Sequence, residues 1–299
     1  MSGNRAVIDI GTNTLLLLVV DDQRRRVVDL CRFGRLGKGL DASGRLADEA
    51  IAKSLDICGE YRGVMDEHGV AAPRVIATQA LREATNAAAF RAPAEQILRA
   101  PIEIIDGRRE AELAFAAVAS TFPELARDGY IVVDVGGGST ELITVAPGGR
   151  LVDAVSVPIG AVRLTERHLA HDPPTADEIR ALDADIDRAL APVALPSGAP
   201  IVATAGTATT MAAVHLALAH YDPDAVTGLR LSRDEVDAQR ARMLAATVAE
   251  RRAMPGMPAE RADVIAAGVA IYARAARRAN APALITCDRG IRWGLVYAG

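Results

Sequence analysis

The segment "YIVVDVGGGSTEL" (residues 130–142) decides the fold. An apolar run, typical of a buried strand, leads into Asp134, three glycines, a serine and a threonine. The segment "RAVIDIGTNTLLLLVV" (5–20) has the same order of an apolar run, an aspartate, a glycine, hydroxyl residues and a second apolar run. The sequence therefore contains one kind of strand–Asp–Gly–Ser/Thr turn twice, with Asp9 and Asp134 lying 125 positions apart.

The elements around these two turns are also repeated. The apolar patterns predict strands at 5–10, 14–21, 26–33, 75–77 and 102–105, and again at 130–135, 139–145, 151–157, 201–204 and 283–286. Helical spacing predicts helices at 46–70, 86–100, 107–121, 161–169, 176–190, 208–219, 232–252, 260–279 and 290–298. Three strands followed by alternating helices and strands, done twice, indicate an α/β fold with an internal duplication. The Pro- and Gly-containing segment 121–129 predicts a boundary between domains 1–121 and 122–299, with a cleft between them.

Composition narrows the classes of function. The net charge of −4 argues against a nucleic-acid partner. The cysteines Cys31, Cys58 and Cys287 have no metal-like spacing, and an odd, sparse set indicates reduced thiols in a cytoplasmic protein. Asp9 interrupts the N-terminal apolar run, and every apolar stretch is far shorter than a membrane span. We therefore expect a cytoplasmic protein with neither a nucleic-acid nor a membrane partner.

The glycine turns suit phosphate. Glycines let the backbone approach a ligand closely, and successive backbone N–H groups in such a turn form an anion-binding concavity. Hydroxyl groups add donors, and a strand-end aspartate suits a hard cation such as Mg²⁺. A plain hairpin turn is the alternative for either copy, but two matched copies favour binding. A third site, "VATAGTATTMAAV" (202–214), runs from a strand through Gly206 and Thr207 into a helix, where a phosphate contact and a simple capping turn remain alternatives.

Seven stretches carry a resemblance to a known family: "DIGTNTLLLLV", "GRLGKGLDASGRLADEAI", "ATQALREATN", "IIDGRREAELAF", "VVDVGGGSTEL", "SVPIGAVRLTE" and "RADVIAAGVAIY". In this order they resemble the exopolyphosphatase and guanosine-pentaphosphate phosphohydrolase (Ppx/GppA) family. That family lies within the superfamily of actin, sugar kinases and heat-shock chaperone ATPases. The resemblance implies two duplicated ribonuclease-H-like domains that clasp a phosphate chain, with the last helix, from about residue 289, returning to the first domain.

The resemblance also implies roles for residues. Glu110 matches the proposed catalytic base, and Glu112 is a neighbour that does not match. Asp134 and Asp9 would hold the metal, Mg²⁺. The phosphate-binding set would comprise Gly11, Thr12, Asn13, Thr14, Arg82, Gly136, Gly137, Gly138, Ser139, Gly206 and Thr207. Arg35 and Lys38 would add positive charge, and Trp293 stands where the family pattern has glutamate. Arg163 and Arg292 match family arginines, with a purely structural role as the alternative for each.

The activity implied is Mg²⁺-dependent hydrolysis of the terminal phosphoanhydride of inorganic polyphosphate by a homodimer. Because the sequence ends before the additional C-terminal region of longer family members, a preference for short chains is expected. The alternative prediction is that the protein hydrolyses guanosine pentaphosphate to tetraphosphate. A polyphosphate- or alarmone-binding sensor without turnover is an alternative of another class, and the "GRREAEL" segment disfavours a kinase.

Overall fold

The computed structural model of the protein describes residues 3–298. This part of the chain divides into two compact units, one of residues 3–110 with Ala298 and one of Ala111–Tyr297. The division falls near the start of the helix Gly107–Thr121, whereas the boundary predicted from the sequence lies at the end of that helix. The predicted return of the last helix to the first domain stays a prediction.

The first unit is built on a five-stranded sheet in the order β3-β2-β1-β4-β5. Its strands are β1 (Arg5–Ile10), β2 (Leu15–Val20), β3 (Arg26–Arg32), β4 (Arg74–Ala77) and β5 (Ile102–Ile104). β1, β2 and β3 are antiparallel neighbours, while β4 and β5 run parallel to β1. β1 and β2 are buried along almost their whole length, as their unbroken apolar runs predict for central strands.

The second unit repeats this topology. Its strands are β6 (Tyr130–Val135), β7 (Thr140–Ala146), β8 (Arg150–Val157), β9 (Ile201–Thr204), β10 (Arg230–Leu231) and β11 (Leu284–Thr286). The order is β10-β11-β9-β6-β7-β8, with β6, β7 and β8 antiparallel and β9 and β11 parallel to β6. Apart from the added edge strand β10, the two sheets match strand for strand, which confirms the predicted α/β class and the internal duplication.

The duplication extends to an irregularity in each sheet. Val19 pairs with Val28 and Val20 with Arg26, so Val27 of the edge strand β3 is an extra, unpaired residue. In the second unit the register shifts between Thr144 and Val145, which pair with Asp153 and Leu151, so Val152 of the edge strand β8 is the extra residue. Both are β-bulges. They lie 125 positions apart and leave Val27 and Val152 exposed.

Helices surround both sheets. The first unit contains α1 (Leu40–Ser43), α2 (Asp48–Glu67), α3 (Gln79–Glu83) and α4 (Ala87–Leu98), and α5 (Gly107–Thr121) follows. The second unit contains α6 (Ala161–His168), α7 (Ala176–Leu190), α8 (Ala205–His215), α9 (Pro223–Val226), α10 (Arg233–Ala245), α11 (Val248–Arg252) and α12 (Ile265–Arg278), together with α13 (Ile291–Ala298) up to Tyr297. α2 packs against α4, and the alanine-rich α12 is almost wholly buried against β6 and its neighbouring helices. Within residues 3–298, no helix is long and apolar enough to cross a membrane.

Three predicted helices differ from the structure. The helix expected at 208–219 begins directly after β9, at Ala205, and ends at His215. The helix expected at 232–252 is broken into α10 and α11, because Thr247 caps a new helix by accepting from the Glu250 N–H while Glu250 bonds back to Thr247. The helix expected at 260–279 starts later, at Ile265, after a short 3₁₀ turn.

Candidate active site

In the first unit, the residues predicted to bind phosphate or to act as the base follow the carboxyl ends of the strands, at one edge of the sheet. β1, β4 and β5 are parallel, so their carboxyl ends meet there. The turn 11–14 follows β1, Arg82 lies in α3 after β4, and Glu110 lies in the first turn of α5 after β5. Because open α/β sheets bind ligands outside the carboxyl ends of their strands, this edge is the place where a ligand site is expected.

The first glycine turn is closed by a backbone hydrogen bond, and the loop after β3 packs against it. The Gly11 N–H donates to the Thr14 carbonyl at 2.9 Å, and the Gly37 N–H donates to the Thr12 carbonyl at 2.8 Å. A Cβ at position 37 would overlap the Thr12 side chain. The glycine at position 37 therefore lets the loop after β3 lie directly on the turn.

The same loop carries the two basic residues that the sequence singled out. The Arg35 N–H donates to the Asn13 carbonyl at 3.0 Å, and the Lys38 N–H donates to the Arg35 carbonyl at 3.0 Å. Arg35 is half-buried and Lys38 is exposed. The backbone contacts thus keep both positive residues near the first turn.

Arg82 and Glu110 form an ion pair. Arg82 Nη1 donates to Glu110 Oε2 at 3.1 Å and to the Ile105 carbonyl at 2.6 Å. The side chain of Glu110 is only 10% exposed and that of Arg82 only 22%, so the pair is largely shielded from water. Both bonds leave from Nη1, which carries two of the five guanidinium N–H groups, so the other three are not used by these bonds. The sequence predicted each residue separately, but it did not predict that they pair.

Glu110 owes its place to the start of α5. The Asp106 side chain accepts from the Arg109 N–H at 2.8 Å, and the Glu110 N–H donates to the Asp106 carbonyl at 3.0 Å. Asp106 therefore begins the helix, and Glu110 projects from its first turn. Glu112 is half-buried two residues further along.

The second glycine turn has the same closing bond. The Gly136 N–H donates to the Ser139 carbonyl at 3.0 Å. The start of α6 holds the turn, since the Val162 N–H donates to the Gly137 carbonyl at 2.8 Å and Arg163 Nε donates to the Gly138 carbonyl at 2.9 Å. These bonds give Arg163 a structural contact with the turn, which is one of the two readings that the sequence left open for it.

Asp134 lies at the end of β6 and is buried. Burial raises the pKa of its carboxyl to about 6, and the Thr204 side chain on the neighbouring strand offsets part of the rise. Directly opposite Asp134 on β7 lies Glu141, which is 1% exposed and accepts from Ser156 Oγ at 2.7 Å. Directly opposed residues of an antiparallel pair share one face of the sheet.

Glu141 is a residue that the sequence reasoning missed. It stands in the quoted segment "GGGSTEL", inside a strand whose neighbouring residues are all buried. A charged residue in a continuous buried strand was the available signal, because such side chains are almost never buried without a compensating partner. Two buried residues that carry carboxylates, Asp134 and Glu141, thus lie opposite each other on the strands that flank the second turn.

The third glycine site is shaped by close packing. Ala205 has a φ of 66°, a left-handed conformation unusual for a residue with a Cβ, and turns the chain sharply from β9 into α8. A Cβ at Gly206 would overlap the Arg261 guanidinium, so glycine admits this buried arginine, which the sequence reasoning did not consider. Thr207 Oγ1 donates to the Val135 carbonyl at 3.3 Å and ties the helix start to the end of β6.

The predicted metal ligands belong to different units. Asp9 is buried at the end of β1 and lies opposite Leu16, whereas Asp134 lies opposite Glu141. In the described part of the chain, no group of three or more His, Cys, Asp or Glu side chains is placed to hold a metal ion. The roles of all these residues in binding and catalysis stay predictions.

Comparison with known proteins gives one consistent family. The profile described as the Ppx/GppA phosphatase family matches residues 20–299. An "Exopolyphosphatase 2" of Mycobacterium tuberculosis is 36% identical over 290 residues, which cover 91% of this chain and 89% of that protein. A "Guanosine-5'-triphosphate,3'-diphosphate pyrophosphatase" of Vibrio cholerae is 31% identical over 98% of this chain, which spans 58% of that longer protein.

Solved structures agree. A crystal structure of an exopolyphosphatase-like protein is 34% identical, with a TM-score of 0.91 over 98% of this chain and 97% of that one. An exopolyphosphatase from Cytophaga hutchinsonii is 28% identical, with a TM-score of 0.90 over 99% and 97% of the two chains. With the duplicated fold and the glycine turns already in place, these matches show that the chain belongs to the Ppx/GppA phosphatase family.

Proposed function

We propose that this protein is an exopolyphosphatase, a phosphoanhydride hydrolase that removes the terminal phosphate of inorganic polyphosphate. The observation that carries the proposal is the shielded ion pair of Arg82 and Glu110 at the carboxyl edge of the first sheet. It puts a carboxylate suited to activate water beside a guanidinium suited to hold a phosphate. The similarity to a protein named exopolyphosphatase over 89% of its length supports the choice of substrate.

Glu110 acts as the general base. It accepts a proton from water while the water oxygen attacks the terminal phosphorus, and the bond between that phosphorus and the bridging oxygen breaks. Phosphoryl transfer depends on positioning and charge neutralisation more than on covalent chemistry. The contact with Arg82 orients the carboxylate for this step, since the Arg82 guanidinium is itself anchored on the Ile105 carbonyl.

The phosphate groups are held by backbone N–H groups, hydroxyls and Arg82. In this proposal Gly11, Thr12, Asn13 and Thr14 serve from the first turn, Gly136, Gly137, Gly138 and Ser139 from the second, and Gly206 and Thr207 from the start of α8. Turns of this kind and helix starts both present N–H groups to anions. The three N–H groups of Arg82 that the bonds to Ile105 and Glu110 do not use match the oxygens of a phosphate.

The second turn fits a divalent cation, which we propose to be Mg²⁺. Asp134 and Glu141 are buried carboxylates on one sheet face, and burial opposes the charge on Asp134, which a cation would compensate. Oxygen ligands of this kind suit Mg²⁺. Asp134 would be the principal ligand, with Asp9 proposed as a second contributor. When bound, Mg²⁺ neutralises charge on the phosphate oxygens.

Guanosine pentaphosphate is the second candidate substrate. The Vibrio cholerae relative named guanosine-5'-triphosphate,3'-diphosphate pyrophosphatase matches 98% of this chain, and guanosine pentaphosphate, like polyphosphate, ends in a phosphoanhydride. The same residues would serve both substrates.

The deciding experiment measures phosphate release from polyphosphates of graded length and from guanosine pentaphosphate, each with and without Mg²⁺. The proposal expects Mg²⁺-dependent release from polyphosphate. Release from guanosine pentaphosphate alone would favour the second candidate. Tight binding of either compound without release would identify a sensor and overturn the proposed enzyme.

The protein is further proposed to be a cytoplasmic homodimer. The location is supported by Cys31, Cys58 and Cys287, which form no disulfide within the described residues. The dimer rests on the family resemblance alone, and light scattering against the monomer mass of 31.4 kDa tests it.

A further inference from the structure

A buried tyrosine lies beneath the second half of the candidate site. Tyr272 belongs to α12, and no part of it is exposed. Its hydroxyl accepts from the Val135 N–H at 3.3 Å and donates to the Thr204 carbonyl in a short hydrogen bond. Val135 follows Asp134, and Thr204 is the last residue before the turn into α8.

This hydroxyl lies beside the last hydrogen bond between β6 and β9. β6 and β9 are parallel, and the last register pair is Asp134 with Thr204. In the hydrogen-bond phase of this parallel ladder, that pair includes the bond from the Val135 N–H to the Thr204 carbonyl. β9 ends at that point because Ala205, with its φ of 66°, turns the chain away. The Tyr272 hydroxyl contacts both ends of this last ladder bond, accepting from the Val135 N–H and donating to the Thr204 carbonyl.

The bridge joins two parts of the candidate site. On one side it supports the strand end that carries Asp134 and continues into Gly136. On the other side it supports the residue that precedes Ala205 and Gly206. The same sheet end has a second tie, from Thr207 to the Val135 carbonyl. The phenol therefore reinforces the spacing between the strand end that carries Asp134 and the start of α8.

We propose that Tyr272 is a positioning residue, which sets the distance between Asp134 and the start of α8 and thereby the affinity of this site for a divalent cation. The role in turnover rests on the proposed function, whereas the effect on cation binding is measured without any substrate. Glycine at position 268 lets α12 pack closely against the start of α8, since a Cβ there would lie 2.6 Å from the Thr207 methyl carbon. Tyr272 touches neither the phosphates nor the attacking water in this assignment.

The test compares Tyr272→Phe with Tyr130→Phe. Tyr130 is also buried, and it lies at the opposite end of the same strand. Binding of Mn²⁺ alone, followed by electron paramagnetic resonance, should weaken about tenfold in Tyr272→Phe, the lower end of the effect of losing a supporting group at a metal site. Tyr130→Phe should bind Mn²⁺ as the wild type does. Equal Mn²⁺ affinity in wild type and Tyr272→Phe would overturn the proposal.

Turnover gives a second readout that separates positioning from stability. In an active wild type, Tyr272→Phe should lower kcat severalfold at saturating substrate and raise the Mg²⁺ concentration for half-maximal rate, with KM changed less than twofold. A merely structural tyrosine would lower only the melting temperature. An inactive wild type that still shows the Mn²⁺ effect would refute the proposed function and leave the positioning role standing.

A variant that keeps the donor and weakens the acceptor guards against misfolding. If Tyr272→Phe does not fold, 4-aminophenylalanine at position 272 still donates to the Thr204 carbonyl, but its amine accepts only weakly from the Val135 N–H. The proposal then requires an Mn²⁺ affinity measurably below that of the wild type in a protein with a wild-type circular dichroism spectrum. Unchanged affinity in that variant would overturn it.

Discussion

The two glycine turns share a backbone and differ in chemistry. The Gly11 N–H donates to the Thr14 carbonyl at 2.9 Å, and the Gly136 N–H donates to the Ser139 carbonyl at 3.0 Å. The equivalent residues of the two turns are 125 positions apart in the sequence. The residue opposite the strand-end aspartate differs, being Leu16 in the first unit and Glu141 in the second. The buried carboxylate pair thus occurs only at the second of the two turns.

The first unit carries a different pair of side chains, Arg82 and Glu110. Its carboxyl edge carries Glu110 joined to Arg82, which supplies both a base and a phosphate ligand in the proposed mechanism. The duplication thus preserved the backbone of the two turns, while in the proposed mechanism the side chains of one unit supply the base and those of the other hold the cation. Four predictions test this division.

The largest effect is expected from Glu110→Gln. The amide keeps the shape of the carboxylate but cannot accept the proton, so kcat should fall by about 10²–10⁴-fold. Initial rates of phosphate release measure it, with circular dichroism to confirm folding. Glu112→Gln, two residues along the same helix, is the control and should stay active. A larger loss at Glu112 would assign the base elsewhere.

The next largest effect is expected from Asp134→Asn, which we compare with Asp9→Asn. Asp134→Asn should raise the Mg²⁺ concentration needed for half-maximal rate and lower kcat/KM at limiting Mg²⁺ by about 10–100-fold. Asp9→Asn should have a smaller effect, because Asp9 faces Leu16 and lacks a neighbouring carboxylate across the strand pair. Titration of activity with Mg²⁺ measures both variants. An equal or greater effect at Asp9 would contradict the assignment of the cation chiefly to the second turn.

Asp134 should also make stability depend on pH. Its pKa of about 6 in the folded protein exceeds the ordinary 3.8, so between these values the folded state binds more protons than the unfolded state. The free energy of unfolding should therefore fall as pH rises through this window, by about 3 kcal/mol in total at pH 7. Asp134→Asn should lack this component of the fall.

Urea denaturation in excess chelator at pH 4, 5, 6 and 7.5 measures the difference between wild type and Asp134→Asn. Asp22→Asn, in an exposed turn, is the control and should follow the wild type. A wild-type minus variant difference that does not change across pH 4–6 would show that burial of Asp134 does not raise its pKa in this way.

The smallest effect concerns the glycines that pack on each turn. Gly37→Ala would meet the Thr12 methyl, whereas Gly160→Ala would meet backbone atoms of Gly137, the carbonyl oxygen at 2.5 Å. Each should destabilise its unit by about 1–3 kcal/mol, the usual range for overpacking. Thr12→Ser removes the obstructing methyl and should recover most of the loss from Gly37→Ala.

In the second unit no side-chain substitution can relieve Gly160→Ala, because the atoms that its Cβ would meet belong to the backbone of Gly137 and Gly138. Thermal denaturation of the single and double variants measures these effects on stability alone. Failure of Thr12→Ser to recover Gly37→Ala would mean that the two turns are packed more alike than the structure indicates.

Much of the fold was predictable because the signals were local. The paired apolar runs around Asp9 and Asp134 predicted the central strands, and the predicted helix 107–121 coincides with α5. The break at Thr247 had a signal in the Thr–Glu spacing of a capping box, which helical periodicity obscured. The left-handed turn at Ala205 had none, since alanine carries no preference for positive φ.

The site was less predictable because its contacts join distant segments. The residues Arg82 and Glu110 were identified, but the bond between them depends on β4 and β5 lying side by side. Glu141 and Tyr272 were present in quoted motifs without a role, since the register of β6 with β7 brings Glu141 to Asp134 and the packing of α12 on β6 brings Tyr272 to Val135. Pairing across a sheet is tertiary information that a single sequence shows only indirectly.

The bulges at Val27 and Val152 have a consequence for the protein's behaviour at high concentration. Both lie on edge strands, where unpaired N–H and C=O groups invite another chain to add a strand. A bulge interrupts the flat ladder that such aggregation requires, and it does so here at the same position in both sheets. Each half of the molecule has thereby inherited, with its strands, a built-in resistance to edge-to-edge aggregation, at the cost of one exposed valine per sheet.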